Sequence, residues 1–292
     1  MPYKKPTKAI ITDAGFASRY LPISKTIPKA MLPFGNRPIM QLVVEECVSA
    51  GITHIIIVAT PEGKPIYEDY FNNAVNRVRK QLASQGKSDR YRAIQDVLDF
   101  PKITVIEQDP ALPYGNGSPI VSAQDYISED EAFIACYSDD VILGKQGAVA
   151  ALVAEFEKNS EADAIIAVQE VPGAEIEKYG AVQFKDGGKE LERLVEKPKA
   201  AEAPSQLASY GRYLLTPKIF EFLCPEYVGK DAELWTADAI DKVAQNGKVL
   251  TAVPDGIWYT TGDPKSYFLA HLQFVLDYED YAGDVRKYIA EH

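Results

Sequence analysis

The stretch KAIITDAGFASRYLP, residues 8–22, decides the fold. Its opening residues, Lys8–Thr12, form a short run rich in Ile, as expected of a buried parallel strand, and residues 52–60, ITHIIIVAT, form a second one. Between the two runs, apolar residues recur at helical spacing after Pro38, and Gly51 follows as a stop. This order predicts a β-loop-α-β unit of an α/β protein.

The loop of this unit, residues 13–37, is unusually long. Long ordered loops inside compact α/β units are commonly functional. Gly15 stands just after the strand, where it lets backbone N–H groups approach a phosphate, and Arg19 and Lys29 supply positive charge. A solvated basic loop with turn prolines explains the same residues, so the loop alone does not establish a phosphate site.

The rest of the chain alternates strand and helix patterns. Residues 62–102 are polar and mostly helical, which predicts a helical excursion, and residues 264–292 are predicted to form a C-terminal helical element. Further strands are predicted at 103–106, 133–137, 164–168 and 209–215, helices at 148–157, 217–223 and 236–245, a hairpin of 181–184 and 191–195 around Asp186, Gly187 and Gly188, and a closing strand pair of 249–253 and 257–260. We therefore predict one α/β domain over residues 1–292, with a mainly parallel mixed sheet flanked by helices.

Charge and cysteine usage exclude several classes of partner. The formal net charge of -11 argues against an electrostatic grip on nucleic acid or an acidic membrane surface, although it allows a local basic pocket for phosphates. Cys47, Cys136 and Cys224 are odd in number and lie in apolar stretches, as buried thiols of a reducing compartment do. Residues 1–7 lack the apolar segment of a secretory signal, and no apolar run is long enough to span a membrane. We predict a cytoplasmic protein.

Two later positions are candidates for phosphate chemistry. Asp139 and Asp140 follow the strand predicted at 133–137, at a strand end where open α/β sheets place ligands. Carboxylate oxygens beside a polyphosphate suit Mg²⁺, which usually takes one or two protein carboxylates. A turn after the strand is the competing interpretation, because Asp is common in turns. Lys197 follows Glu196 after the hairpin, and a lone lysine in such a place is most often an exposed strand end.

Blocks of sequence spread along the chain share the order and spacing of one known family. They are GFASR at 15–19, IPKAMLP at 27–33, YG at 179–180, VEKP at 195–198, GRYLLTP at 211–217, TADAI at 236–240 and TGD at 261–263. Together they resemble the bacterial UTP:glucose-1-phosphate uridylyltransferases, within the wider family of sugar-1-phosphate nucleotidyltransferases. The resemblance runs through nearly the whole chain, and several ordered blocks are more specific than any single motif.

This resemblance implies a Rossmann-like core, homo-oligomeric assembly, and a Mg²⁺-dependent reaction of UTP with glucose 1-phosphate that gives UDP-glucose and pyrophosphate. A nucleoside triphosphate and a sugar 1-phosphate are thus the expected partners. Carried over position by position, the resemblance implies Arg19, Lys29 and Lys197 as catalytic cations, Ala14, Gly15, Gln108 and Gly117 as readers of the uracil edge, Gly180, Glu196 and Lys197 as holders of the sugar and its phosphate, and Asp140 as the magnesium ligand with Asp139 in support.

Three positions depart from the family pattern. Ala17 stands where the family loop usually has a second Gly, Asp13 brings a carboxylate near the expected triphosphate, and Thr260 stands where the family generally has a metal-binding Asp. These departures leave three alternatives open. The protein is a working uridylyltransferase with altered metal geometry, a pyrophosphorylase for another base or sugar, or a catalytically weakened paralogue that binds a sugar nucleotide or regulates a transferase.

Overall fold

The computed structural model describes residues 2–185 and 188–292, which form a mixed sheet with helices on both faces. The strands are β1 (Lys8–Asp13), β2 (Pro33–Phe34), β3 (Arg37–Pro38), β4 (His54–Ala59), β5 (Lys102–Glu107), β6 (Phe133–Tyr137), β7 (Asp140–Leu143), β8 (Ala164–Glu170), β9 (Gly180–Phe184), β10 (Leu191–Glu196), β11 (Leu207–Leu215), β12 (Val249–Ala252) and β13 (Ile257–Thr260). The helices are α1 (Ile39–Ser49), α2 (Lys64–Asn72), α3 (Asn76–Ser84), α4 (Arg92–Leu98), α5 (Ser118–Ser122), α6 (Ala148–Lys158), α7 (Thr236–Asn246), α8 (Pro264–Tyr278) and α9 (Ala282–Glu291).

The main sheet has a parallel centre with antiparallel additions. Strands β5, β4, β1 and β6 run parallel in this order. Strand β11 lies antiparallel to β6, β8 lies antiparallel to β11, and β12 lies parallel to β8. The hairpin of β9 and β10 joins the first half of β11. The carboxyl ends of β1, β4, β5 and β6 therefore open on one edge, which is where ligands bind in open α/β sheets.

Both faces of the central strands are buried because helices cover each face. Ile11 packs with Met40 of α1 and Leu152 of α6, whereas Ile10 packs on the opposite face with Ile120 of α5 and Ile240 of α7. Side chains alternate between the two faces of a strand, so a strand covered on both sides needs a continuous apolar run. This requirement explains why the Ile-rich stretches were recognisable in the sequence.

Most of the predicted elements are confirmed. Strand β6 has the predicted bounds, α8 and α9 occupy the predicted C-terminal helical element, α2, α3 and α4 occupy the polar excursion, and β9 pairs antiparallel with β10. Of the predicted turn between these two strands, Asp186 and Gly187 lie outside the described residues. The segment predicted as a helix at 217–223 is a 3-10 helix over Pro217–Glu221.

The predicted closing strand pair is wrong. Strand β12 extends the main sheet beside β8, and β13 pairs antiparallel with β7 in a separate two-stranded sheet. A Cβ atom on Gly144 would lie 2.6 Å from the Cα atom of Gly256, so two glycines permit the close approach that brings β13 to β7. Strands that are adjacent in sequence pair with each other only when the segment between them turns back on itself. The segment between β12 and β13 instead leads from the main sheet to the separate two-stranded sheet.

Two further observations concern the environment of the chain. Among the described residues, no helix is long and apolar enough to cross a bilayer. Cys47 and Cys136 are buried free thiols whose sulfur atoms lie 3.8 Å apart, and Cys224 is also free. The cytoplasmic location stays a prediction.

Candidate active site

A cavity of about 320 Å³ opens at the carboxyl ends of the parallel strands. Its volume is that of a small-molecule site. Its wall includes Asp13, Ala14 and Gly15 at the end of β1, Lys29 in the long loop, Gln108 after β5, Tyr114, Gly115 and Asn116 before α5, Tyr137 and Asp139 at the end of β6, and Glu233 and Trp235 before α7.

A second cavity of about 370 Å³ adjoins the first. The two cavities share Asp13, Gly15 and Lys29, and the second one also has Lys25 in its wall. Lys29 therefore faces both spaces.

Lys29 forms an ion pair at the boundary of the two cavities. Its Nζ atom lies 2.5 Å from Oδ2 of Asp139, and the two side chains keep 18% and 25% of their surface exposed. Burial lowers the pKa of Lys29, but the carboxylates of Asp139 and Asp13 outweigh it, so that the pKa is raised overall. Burial raises the pKa of Asp139, whereas Lys29 more than offsets this and holds it below its ordinary value. Both partners therefore carry their charge.

Asp13 is held by two hydroxyl groups. The Tyr67 hydroxyl donates a short hydrogen bond to its Oδ2 atom, and Ser138 Oγ donates to Oδ1 at 2.7 Å. Burial raises the pKa of Asp13, against the lowering influence of Lys29. Because both oxygens have donors within the protein and the charge is disfavoured, this carboxylate repels a neighbouring phosphate less than the sequence suggests.

The loop before α5 is attached to the segment before α7. Gly117 N donates to the Leu234 carbonyl at 2.9 Å, and Leu234 N donates to the Tyr114 carbonyl at 2.7 Å. Gly115 has φ +140°, and a Cβ atom there would lie 2.3 Å from the Leu234 carbonyl oxygen, so only glycine fits. Gln108 lines the first cavity, whereas Gly117 does not and its N–H is already bonded.

The residues predicted to hold the sugar are not in the wall of the first cavity, but one of them contacts a residue of that wall. Gly180 pairs with Glu196 across β9 and β10, and burial raises the pKa of Glu196, against the opposing charge of Lys197. Lys197 Nζ lies 3.5 Å from Glu196 Oε1 and 4.1 Å from the ring centroid of Trp235. Since Trp235 lines the cavity, Lys197 reaches its rim over that ring.

The family model described as nucleotidyl transferase matches residues 8–275. The chain belongs to this family. It is 33% identical over 291 residues to the UTP–glucose-1-phosphate uridylyltransferase of Staphylococcus epidermidis, covering 99% of each chain, and 34% identical over 276 residues to that of Bacillus subtilis, covering 94% of this chain and 92% of the relative.

Solved structures show the same fold over almost the whole chain. The UTP-bound UGPase of Acinetobacter baumannii superposes with a TM-score of 0.87 at 28% identity and covers 98% of this chain and 99% of its own. A UDP-glucose pyrophosphorylase in complex with UDP-glucose gives a TM-score of 0.79 at 29% identity and covers 92% of this chain and 98% of its own.

In this nucleotidyl transferase, the carboxylate predicted to hold magnesium does not face the cavity. Asp140 Oδ1 accepts a bond from Trp258 Nε1 at 2.6 Å, and its Oδ2 accepts one from Gly211 N at 2.9 Å. Asp139, and not Asp140, lines the cavity. Burial, followed by the charge of Asp139, raises the pKa of Asp140 to about 7. The prediction for Asp140 is therefore corrected, because both of its oxygens are used within the fold.

The oxygen atoms around Asp139 fit a hard cation that also binds a substrate. Asp139 Oδ2 and Thr260 Oγ1 each lie 3.3 Å from the point where a Cβ atom on Gly262 would stand. Within the described part of the chain, no three His, Cys, Asp or Glu side chains are grouped as a metal site. One carboxylate near a hydroxyl, completed by phosphate oxygens and water, is a donor set that Mg²⁺ accepts.

Arg19 is not in the wall of either cavity. Its Nη1 atom donates to the Gly262 carbonyl at 3.5 Å, a long bond for this pair of atoms, and the side chain is exposed. Ala17, two residues before Arg19, has φ 49° and adopts the left-handed conformation that glycine favours. The structure thus pairs Lys29 with Asp139, sets Lys197 over the cavity residue Trp235, and leaves Arg19 beside the start of α8.

Several residues that line the cavity were not predicted from the sequence as site residues. Tyr137 directly precedes the Ser138–Asp140 segment, and Trp235 directly precedes the TADAI block. Their positions next to these two segments were the only indication in the sequence that they line a binding site. Aromatic residues are, however, more often packed in protein cores than exposed in binding sites. The buried Arg212, within the GRYLLTP block, was also missed as a structural residue.

Proposed function

We propose that this chain makes UDP-glucose and pyrophosphate from UTP and glucose 1-phosphate. The observation that carries this proposal is the Lys29–Asp139 pair at the boundary of two adjoining cavities, on the edge of the sheet where ligands bind. The names of the relatives from Staphylococcus epidermidis and Bacillus subtilis support the choice of substrates.

The reaction needs no covalent enzyme intermediate. An anionic phosphate oxygen of glucose 1-phosphate attacks the α-phosphorus of UTP in line, the new P–O bond forms, and the bond to the bridging oxygen breaks to release pyrophosphate. Lys29 contacts phosphate oxygens and stabilises the charge that develops around the α-phosphorus, while Lys197 holds the phosphate of the sugar. Arg19 has to leave the Gly262 carbonyl before it contributes, and the length of that bond favours its release.

We propose Asp139 as the magnesium ligand in place of Asp140. When bound, Mg²⁺ neutralises negative charge on the phosphates of the nucleotide. Asp139 supplies a carboxylate oxygen toward the cavity, and Lys29 keeps that carboxylate ionised. Thr260, at the family position of a second carboxylate, supplies a neutral hydroxyl, so the site carries one less negative charge than a two-carboxylate site.

We propose that the base lies in the first cavity. Gln108, Ala14 and Gly15 line it, which supports their predicted contact with the uracil edge. Gly117 contributes through packing, since its N–H is bonded to Leu234 and its missing Cβ leaves room for Leu223. Gly115 and Asn116 take its place in the cavity wall.

The test is a matrix of pyrophosphate-release assays over several nucleoside triphosphates and sugar 1-phosphates with Mg²⁺. We expect UTP with glucose 1-phosphate to give the highest kcat/KM. Release from another pair alone would replace these substrates by that pair. Binding of UDP-glucose by calorimetry, with no pyrophosphate release from any pair, would establish the weakened paralogue instead.

We also propose a homo-oligomer. Helices α8 and α9 expose large apolar side chains, among them Phe268 at 63%, Leu269 at 52%, Tyr288 at 64% and Ile289 at 52%. Exposed apolar clusters commonly mark interfaces between proteins. Sedimentation velocity is expected to show a species larger than 32.2 kDa, and a monomer at micromolar concentration would exclude this assembly.

A further inference from the structure

Two side chains with carboxamide groups, Gln108 and Asn116, belong to the wall of the first cavity. A carboxamide has an oxygen atom that accepts hydrogen bonds and an NH2 group that donates them. The end that it offers to a ligand depends on the bonds that hold the group within the protein. The two carboxamides differ in these bonds, and the difference bears on the choice of base.

The carboxamide of Gln108 is held by no hydrogen bond within the described part of the chain. The backbone N–H of Gln108 donates to the Ala59 carbonyl at 3.0 Å, which fixes the backbone and leaves the side chain able to turn over. One orientation of a carboxamide matches N3–H and the 4-keto oxygen of uracil, and the reverse orientation matches N3 and the 4-amino group of cytosine. Gln108 alone therefore does not distinguish the two pyrimidines.

Asn116, in contrast, is held in one orientation by the start of α7. Its Oδ1 atom accepts a hydrogen bond from N of Thr236, the first residue of α7, at 2.9 Å. This N–H is one of the donors that have no partner within their own helix. If the carboxamide turned over, its NH2 group would face that N–H, and two donors would meet. The Nδ2 donor of Asn116 is therefore directed away from α7.

Backbone hydrogen bonds on both sides keep Asn116 in place. Leu234 N donates to the Tyr114 carbonyl at 2.7 Å, and Gly117 N donates to the Leu234 carbonyl at 2.9 Å. The side chain of Asn116 adds a third bond between the same two segments. Its Nδ2 atom donates to no group among the described residues. A donor fixed in this way in a cavity wall is preorganised for an acceptor on a ligand.

We propose that Asn116 is a specificity-determining residue whose Nδ2 atom donates a hydrogen bond to the 4-keto oxygen of the base. This inference rests on the proposed function and assigns its choice of base to one side chain. Cytosine carries an amino group at this position, so two donors would face each other there. Since Asn116 does not turn over, the site accepts bases with a 4-keto group, which are uracil and thymine, and rejects cytosine.

The test is Asn116→Asp, which replaces the NH2 donor by an acceptor at nearly constant shape. Pyrophosphate release measures kcat/KM for UTP and for CTP, each with glucose 1-phosphate. The wild type is expected to prefer UTP, and the variant is expected to lower the ratio of the UTP value to the CTP value about tenfold or more. A ratio that the substitution leaves unchanged would overturn the proposal.

The ratio is the readout because the new carboxylate repels every triphosphate and lowers both values. The matched control is Asn72→Asp, which adds the same charge at the exposed last residue of α2 and is expected to leave the ratio unchanged. The same proteins are assayed with dUTP. A variant at Asn116 that changes the ratio of UTP to dUTP, and not that of UTP to CTP, would show a contact with the ribose and would also overturn the proposal.

The Tm of the ligand-free protein separates this role from a structural one. Asn116→Leu removes both polar atoms, so it is expected to lower Tm together with the UTP to CTP ratio. Asn116→Asp is expected to keep Tm, because its carboxylate still accepts from Thr236 N and a negative charge is favourable at a helix start. If Asn116 served only to hold α7, the variant that keeps Tm would also keep the ratio, contrary to the proposal.

The proposed function and this inference fail in different ways. A wild type that releases no pyrophosphate from any substrate pair refutes the proposed function. Calorimetric titration of the wild type and of Asn116→Asp with UTP and with CTP then tests the contact with the base without turnover. A wild type that is active and uses UTP and CTP equally well refutes the role of Asn116 alone.

Discussion

Two ion pairs lie near the end of β6, and their surroundings give them different tasks. The Lys29–Asp139 pair faces the cavities and keeps 18% and 25% of its side chains exposed. The Arg212–Glu46 pair has its Nε and Oε2 atoms 2.9 Å apart, and its side chains are 0% and 10% exposed. One pair is open to a ligand and the other is sealed within the protein.

The arginine of the sealed pair forms several further hydrogen bonds. Besides Glu46, the guanidinium of Arg212 donates to the carbonyls of Tyr137, Gly211 and Asp140 at 2.7–3.0 Å. These bonds join α1, β11 and the β6–β7 connection. The open pair has fewer bonds, and phosphate oxygens offer Lys29 an equivalent partner. Similar charges therefore fix the strand end in one case and, in the proposed function, exchange partners with a substrate in the other.

The largest effect is expected from breaking the sealed pair. Arg212→Met leaves Glu46 buried without its cation and should lower the free energy of unfolding by about 3–5 kcal/mol. Urea denaturation measures the change. Addition of Glu46→Gln is expected to restore part of the loss, because the uncompensated charge is removed. A single variant as stable as the wild type would contradict the structural role of this pair.

Breaking the open pair should affect chemistry more than folding. Lys29→Ala is expected to lower kcat/KM about 10²–10³-fold, since it removes a cation from the charge that develops in the transition state. Pyrophosphate release measures the loss, and thermal unfolding should shift little. Lys287→Ala on α9 is the control and should leave activity unchanged. A stable Lys29→Ala enzyme with full turnover would exclude this lysine from the mechanism.

Asp139 and Asp140 allow a second comparison between a side chain that faces the cavity and one that is bonded within the fold. Asp139→Asn should lower turnover about 10²-fold and increase the Mg²⁺ concentration needed for half-maximal rate, because the cavity loses the carboxylate proposed to bind the metal. Asp140→Asn should instead lower stability by about 1–3 kcal/mol, since an amide group offers only one acceptor to Trp258 and Gly211. Two measurements on both variants decide which aspartate binds the metal. They are the dependence of activity on Mg²⁺ concentration and urea denaturation. The reverse pattern would return the metal to Asp140.

A smaller effect on activity is expected from removing Lys197, the cation at the rim of the first cavity. Lys197→Ala keeps the fold but should lose most turnover, about tenfold or more, because the phosphate of the sugar loses its counter-charge. KM for glucose 1-phosphate should rise more than KM for UTP. Lys199→Ala, two residues away and exposed, is the matched control. Unchanged pyrophosphate release by the Lys197 variant would contradict its assignment.

Sequence patterns were sufficient to predict the local secondary structure. They were also sufficient to identify candidate side chains whose position follows from their own segment of the chain. Strand β6, helix α8 and the long loop with Lys29 were predictable from apolar spacing and from the family blocks. The partners of β12 and β13 were not, because strand pairing depends on which edges are free in the folded sheet. Lys29 was predictable as a cation, although its pairing with Asp139 was not.

Side-chain direction was the other limit. Asp139 and Asp140 are consecutive and chemically identical, and only the geometry of the connection decides which one faces the cavity. Tyr67 is more than fifty residues from Asp13 in the chain, and no local pattern indicates that its hydroxyl holds that carboxylate. Long-range contacts of this kind arise from the packing of α2 beside the central strands.

The short sheet of β7 and β13 links Asp139 to the far end of the chain. The carbonyl of Asp139 accepts bonds from N and Oγ1 of Thr261 at 2.6 and 2.9 Å, and the Thr261 carbonyl accepts one from Tyr20 at 2.6 Å. Two residues later, the Asp263 side chain accepts the first free N–H groups of α8. Through these bonds, the start of α8 is tied to the backbone of Asp139, and a shift of α8 is expected to move that residue.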